Sequence, residues 1–123
     1  VTFDPEVTSY RELLDIFWRT IDVTDARGQF CDRGPSYRTA IFVGDEEQRA
    51  VAEASKADAA AALGDDIVTE IIDATAFWPA EDYHQNYYTE NAIRYAGYRF
   101  ACGRDRRVEQ VWGEAAYQGI AKD

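Results

Sequence analysis

Positions 22 to 38 read Asp-Val-Thr-Asp-Ala-Arg-Gly-Gln-Phe-Cys-Asp-Arg-Gly-Pro-Ser-Tyr-Arg and gather a thiol, carboxylates, a phenol and guanidinium groups just before an apolar run. A tyrosine at a strand entrance, Tyr37, can donate a hydrogen bond to a substrate oxygen. A carboxylate shortly before it, Asp32, can organise water or a proton around that oxygen. The competing reading is structural: Asp32 and Gly34 build a turn and Tyr37 packs in the core. Cys31 adjoins Asp32, and a neighbouring carboxylate disfavours the thiolate, which argues against Cys31 as a nucleophile.

The second concentration of polar function runs Phe77-Trp78-Pro79-Ala80-Glu81-Asp82-Tyr83-His84-Gln85-Asn86-Tyr87-Tyr88 and holds the only histidine. On a helix, Glu81 and Asp82 lie near the N-terminus, where negative charge is favoured, and His84 and Tyr87 are neighbours on one face. The spacing is not that of a two-histidine zinc helix and no second histidine exists, so no metal is expected. His84 and Tyr87 read as pocket walls or a hydrogen-bonded buttress.

These groups sit in a chain of 123 residues, enough for one small domain, with 46% apolar residues and three prolines. A formal charge of −10 repels a phosphate backbone, so nucleic acid is not an expected partner. No run of about 18 apolar residues occurs, and Asp4, Glu6, Arg11, Glu12 and Asp15 interrupt the first stretch. Neither a membrane span nor a signal peptide is read, and a cytoplasmic protein is expected. Cys31 and Cys102, 71 positions apart, form neither a disulfide framework nor a zinc pattern, so free thiols are the default. Methionine is absent, and Val1-Thr2-Phe3-Asp4-Pro5 has the alternation of a strand tail, so the start reads as a cut.

The elements that must position these groups follow from periodicity. Ser9 precedes Glu12 in a capping-box arrangement, and Tyr10, Leu13, Leu14, Phe17, Trp18 and Ile21 recur at helical spacing, which predicts a helix over 9–20. The 22–36 segment is a long polar loop. The apolar run within 37–43 predicts a central strand, Asp45 to Leu63 an alanine-rich helix ended by Gly64, and 67–72 a further strand. Short helices are predicted over 80–91 and 105–112. The expected fold class is α+β: a small two-layer sandwich, with a ferredoxin-like α/β sheet of about three strands and helices on one face, its N-terminal part missing.

Taken together, Phe3-Asp4-Pro5, the 9–18 helix, Asp22 with Thr24, Gly28-Gln29, Asp32-Arg33-Gly34, Tyr37 to Phe42, Glu47-Gln48, Ile67 to Ile71 and the 79–85 run resemble the A-class peptide methionine sulfoxide reductases along residues 1 to 112. The resemblance implies a single domain over 1–123, the C-terminal portion of a reductase domain. It implies thiol-dependent reduction of the S epimer of methionine sulfoxide, free or in proteins, through a cysteine sulfenic acid. No cofactor is implied; thioredoxin, or dithiothreitol in vitro, is the external reductant. Tyr37 matches a family tyrosine that hydrogen-bonds the substrate oxygen, Asp32 the loop aspartate that orders the pocket, and His84 and Tyr87 pocket-supporting positions. The family's Gly-Cys-Phe-Trp nucleophile motif does not occur here, nor does the glutamate that is the main proton donor. Phe17-Trp18 lacks the preceding cysteine. The candidate thiols are then Cys31, as a substitute nucleophile, and Cys102, as a recycling thiol or a buried inert one. The alternative to an enzyme is a degenerate member that binds methionyl side chains or a partner without turnover.

Overall fold

The computed structural model describes residues 1–121. Helix α1, Tyr10–Trp18, starts where Ser9 accepts from the Glu12 amide and the Glu12 carboxylate accepts from the Ser9 amide. The reciprocal bonds satisfy two donors that a helix start leaves open. Its buried face carries Leu14 and Trp18.

Strand β1, Gly28–Gln29, pairs antiparallel with β2, Asp32–Arg33, and a 3-10 turn over Pro35–Tyr37 follows. Strand β3, Ala40–Val43, then leads into helix α2, Glu46–Leu63, which is capped by Asp45 and stopped by Gly64 in the left-handed region. Strand β4, Glu70–Asp73, returns parallel to β3 with Ile41 opposite Ile71. Period-2 alternation puts Ile41 and Val43 into the core and leaves Phe42 61% exposed on the opposite face. Ala52, Ser55 and Ala59 are the buried residues of α2, and their small side chains let α1 approach closely. At the centre Trp18 is fully buried and donates its indole N–H to Ser55 Oγ at 3.1 Å.

Beyond the sheet come a 3-10 turn at Asp82–His84, a short helix α3 at Tyr87–Glu90, α4 at Ala92–Ala101 and α5 at Arg104–Trp112. Val108 and Trp112 carry α5 into the same core as Leu14, Trp18, Ile41 and Val43.

The α+β class holds, and several details differ from expectation. Val1 to Phe3 form no strand, and the described strands make two separate two-stranded sheets rather than one of about three. The strand expected over 67–72 begins only at Glu70, because residues before it bond elsewhere: the Val68 amide donates to the Val23 carbonyl at 2.9 Å, and Thr69 shares a hydroxyl bond with Thr39 at 2.7 Å. The helix expected over 80–91 is split, because Asn86 takes a left-handed φ of 53° between the 3-10 turn and α3. Helix α4 was not among the expected helices. It buries none of its residues, and its apolar stripe of Ile93, Ala96, Gly97 and Phe100 faces outward.

Candidate active site

The 22–38 segment is a tight hairpin held at its base and at its tip. At the base, Gln29 accepts from the Asp22 amide at 3.0 Å and donates to the Asp22 carbonyl at 2.8 Å. The Asp22 carboxylate is buried; it accepts from the Thr24 hydroxyl at 2.6 Å and from Arg107 Nε of α5 at 2.7 Å. A buried carboxylate needs such partners, so the base of the hairpin is bolted to α5.

Two residues, Phe30 and Cys31, turn the chain between the paired Gln29 and Asp32. Phe30 sits at a φ of 55°, a left-handed conformation that costs a residue with a Cβ roughly 1–2 kcal/mol. Three contacts at the tip offset it. The Phe30 ring packs on the core and carries the Arg104 guanidinium 4.3 Å from its centroid. Cys31 is joined to Cys102 in a disulfide with Cα atoms 5.2 Å apart. The Tyr98 hydroxyl, on α4, donates to Asp32 Oδ2.

The expectation of free thiols at Cys31 and Cys102 is therefore corrected. Neither is a thiolate while the bond is intact, so neither serves as nucleophile or recycling thiol in this state. The fold brings them together: the α4–α5 junction, with Gly103 at a φ of 67°, folds Cys102 against the hairpin tip.

Glycine at position 28 is obligatory for this geometry. Its φ is 152°, and a Cβ there would collide with the Asp32 carbonyl and approach Arg33 Cα at 2.9 Å. Gly28→Ala should lower stability by about 1–3 kcal/mol and displace Asp32; urea denaturation and loss of the Gly28–Arg33 pairing by NMR check this. An unchanged midpoint would show that the hairpin can give way.

Asp32 and Tyr37 lie on the same scaffold, since the 3-10 turn of Tyr37 packs on both β1 and β2. Tyr37 is 52% exposed and is not a core residue. Among the described residues no partner takes its hydroxyl, and that phenol is a free donor beside the Asp32 strand. His84 and Tyr87 are not brought to it by any side-chain hydrogen bond among the described residues. His84 is exposed, hydrogen-bonded through Nδ1 to Glu81 at 3.0 Å, with the Tyr83 ring 4.3 Å away. The shared helical face expected for His84 and Tyr87 is absent, because Asn86 interrupts the helix between them.

A residue that sequence reasoning missed is Tyr98. Its signal was weak, since Tyr98 lies 66 positions from Asp32 in sequence and no local spacing links the two. The same blind spot hides the cluster of Arg99, Asp105, Tyr95 and Tyr117, in which Arg99 Nε reaches Asp105 at 3.0 Å and Arg99 Nη2 reaches the Tyr117 hydroxyl at 3.1 Å. Arg99 beside Asp105 holds that carboxyl below the usual carboxylate range.

The hydrogen bond to the Asp32 carboxylate, with burial adding, pushes the Tyr98 phenol up to about 12; burial first, then the bond to Asp105, pushes Tyr117 up to about 12 as well. Both folded values lie above the ordinary value of about 10. Their stabilising contribution is complete below about pH 10 and is lost as pH rises from there through about 12. An ultraviolet titration should show Tyr98 and Tyr117 ionising late, with Asp32→Asn returning Tyr98 alone toward about 10. Late ionisation that survives Asp32→Asn in full would contradict the assignment.

Among the described residues no group of three or more His, Cys, Asp or Glu side chains is placed to hold a metal ion, and no helix is long and apolar enough to cross a membrane.

The fold and the hairpin define a class: an α+β chain that displays an aspartate, and a phenol without a partner among the described residues, on a polar loop tied to α4 and α5. Residues 1–116 match the family model described as peptide methionine sulfoxide reductase, and the chain belongs to that family. It is 52% identical over 121 residues to peptide methionine sulfoxide reductase MsrA 2 of Rhizobium meliloti, covering 98% of this chain and 61% of that relative. It is 48% identical over 116 residues to MsrA of Bacillus pumilus, covering 93% of this chain and 65% of the relative. For MsrA of Bacillus licheniformis the identity is 47% over 115 residues, covering 92% and 64%. The chain thus spans less than two thirds of the length of these relatives.

Proposed function

We propose that these residues form the substrate-oxygen side of a peptide-methionine (S)-S-oxide reductase, and that the nucleophilic cysteine comes from a Gly-Cys-Phe-Trp segment outside the 123 residues. In this reading 1–123 is the C-terminal portion of one reductase domain. The carrying observation is Tyr37: a half-exposed phenol whose hydroxyl has no partner among the described residues, beside a hairpin tied at its base through Gln29, Asp22 and Arg107. The external thiolate attacks the sulfoxide sulfur, the oxygen passes to the cysteine as a sulfenic acid, and the thioether leaves. The oxygen must be polarised and protonated on the way, and Tyr37 donates the hydrogen bond while Asp32, held by Tyr98, orders the loop beside it. A second thiol condenses with the sulfenic acid, releasing water, and thioredoxin or dithiothreitol reduces the resulting disulfide. No cofactor takes part. His84 and Tyr87 support the far wall of the pocket once the remaining segment is in place.

Exposed apolar side chains agree with that reading. Phe42 on β3 is 61% exposed, and Phe77 and Trp78, in the irregular segment after β4, are more than four-fifths exposed. Apolar surface of this kind is covered when β3 and β4 become part of a larger ferredoxin-like two-layer sheet completed by the segment that relatives carry in addition. The cytoplasm, with its reducing thiol pool, is the compartment this chemistry fits.

The test is stereochemical. Residues 1–123 joined to the Gly-Cys-Phe-Trp segment of a relative should reduce the S epimer of a methionine sulfoxide peptide with dithiothreitol and leave the R epimer untouched. Equal reduction of both epimers, or of neither by a folded product, would defeat the proposal.

A further inference from the structure

The sequence assigns no purpose to a disulfide at the hairpin tip, and the catalytic reading above does not use one. The bond lies on the surface: Cys31 is exposed and Cys102 half-buried, and both line a groove of about 490 Å³ with Asp25, Phe30, Arg106 and Arg107. The charges around it are uneven. Arg107 is engaged by Asp22, Asp25 by Arg33, Asp105 by Arg99, and the Asp32 carboxylate accepts from Tyr98. Among the described residues Arg104 and Arg106 have no carboxylate partner within ion-pair distance, and both lie in the first turn of α5, directly after Cys102 and Gly103. In a chain of net charge −10 this groove is locally cationic.

We propose that the Cys31–Cys102 disulfide is an exchange site for small anionic thiols, of the class of carboxylate-bearing peptides, which attack Cys31 and release the Asp32 hairpin from α4 and α5. The incoming thiolate forms a bond to Cys31 Sγ as the Cys31–Cys102 bond breaks, and Cys102 departs as a thiolate. A second thiolate then attacks the mixed disulfide, so two small thiols become one small disulfide and their two electrons leave the protein with two thiols. Exchange rates rise with access to the attacked sulfur and with stabilisation of the leaving thiolate. Cys31 offers the access. Cys102 leaves at the N-terminal end of a nine-residue helix, beside Arg104 and Arg106, where negative charge is favoured. A bond of this kind also fits a cytoplasmic setting, where disulfides are transient or redox-sensing. Exchange itself is independent of the reductase reading. Only its effect on activity, through Asp32, rests on that reading, and the readouts below need no activity.

The oxidised protein is exposed to glutathione, which is anionic, and to cysteamine, which is cationic, and the rates of mixed-disulfide formation are compared per thiolate by mass spectrometry. Glutathione should react about five- to tenfold faster at low salt, with its adduct on Cys31. Arg106→Glu, or about 0.5 M salt, should remove most of that preference. Amide exchange over residues 28–34 should accelerate at least about tenfold on opening, since an exposed hairpin without its tether is marginal. Equal rates for the two thiols, an adduct on Cys102, or unchanged protection of the hairpin would each overturn the proposal.

Discussion

In residues 1–123 joined to a Gly-Cys-Phe-Trp segment, Tyr37→Phe should lower kcat/KM for the S epimer by about 10²- to 10⁴-fold, the range for loss of a positioned proton-donating group. The fold should be untouched, because the hydroxyl has no partner among the described residues and the ring keeps its size. Equal urea midpoints for the two proteins would confirm that the loss is chemical. Asp32→Asn should cost less, since an amide oxygen can still accept from Tyr98 while the negative charge is gone. If Tyr37→Phe left kcat/KM within about twofold, well short of that range, Tyr37 would be a surface residue and no more.

Loss of the Cys31–Cys102 link should have the largest effect on stability. The two cysteines are 71 residues apart. Closing a loop of that length in the unfolded chain corresponds to about 4 kcal/mol on the chain-entropy account. Reduction, or Cys31→Ser with Cys102→Ser, should therefore shift the urea midpoint by a corresponding amount. Within the folded state, the loosening should be greatest in residues 28–33, where Phe30 holds a left-handed conformation. A shift below about 1 kcal/mol, less than typical disulfides provide, would mean that Gln29, Asp22 and Arg107 hold the hairpin alone.

Local rules made much of this molecule legible. Ser9 with Glu12, and Asp45 with Gly64, marked α1 and α2 because capping depends on side chains within a few residues. The polar density around Asp32 and Tyr37 marked a long loop, though not the β1–β2 hairpin within it. What stayed hidden depends on tertiary placement. Cys102, Tyr98 and Arg104 meet residues some 70 positions earlier only because the α4–α5 junction turns back on the tip. No spacing rule carries that information, although Ile93, Ala96, Gly97 and Phe100 do mark α4 itself at helical spacing. The split at Asn86 likewise hangs on a single left-handed residue inside a segment whose composition suits a helix.

Complementation tests the central claim most directly. Residues 1–123 are assayed with dithiothreitol on the S epimer, alone and joined to a Gly-Cys-Phe-Trp segment. Dithiothreitol opens the disulfide, so Cys31 and Cys102 are given their chance as nucleophiles. The account predicts no turnover above the reductant-only control from the 123 residues, and turnover that depends on Tyr37 when the segment is supplied. Turnover by the 123 residues alone would contradict it and place the nucleophile at Cys31 or Cys102.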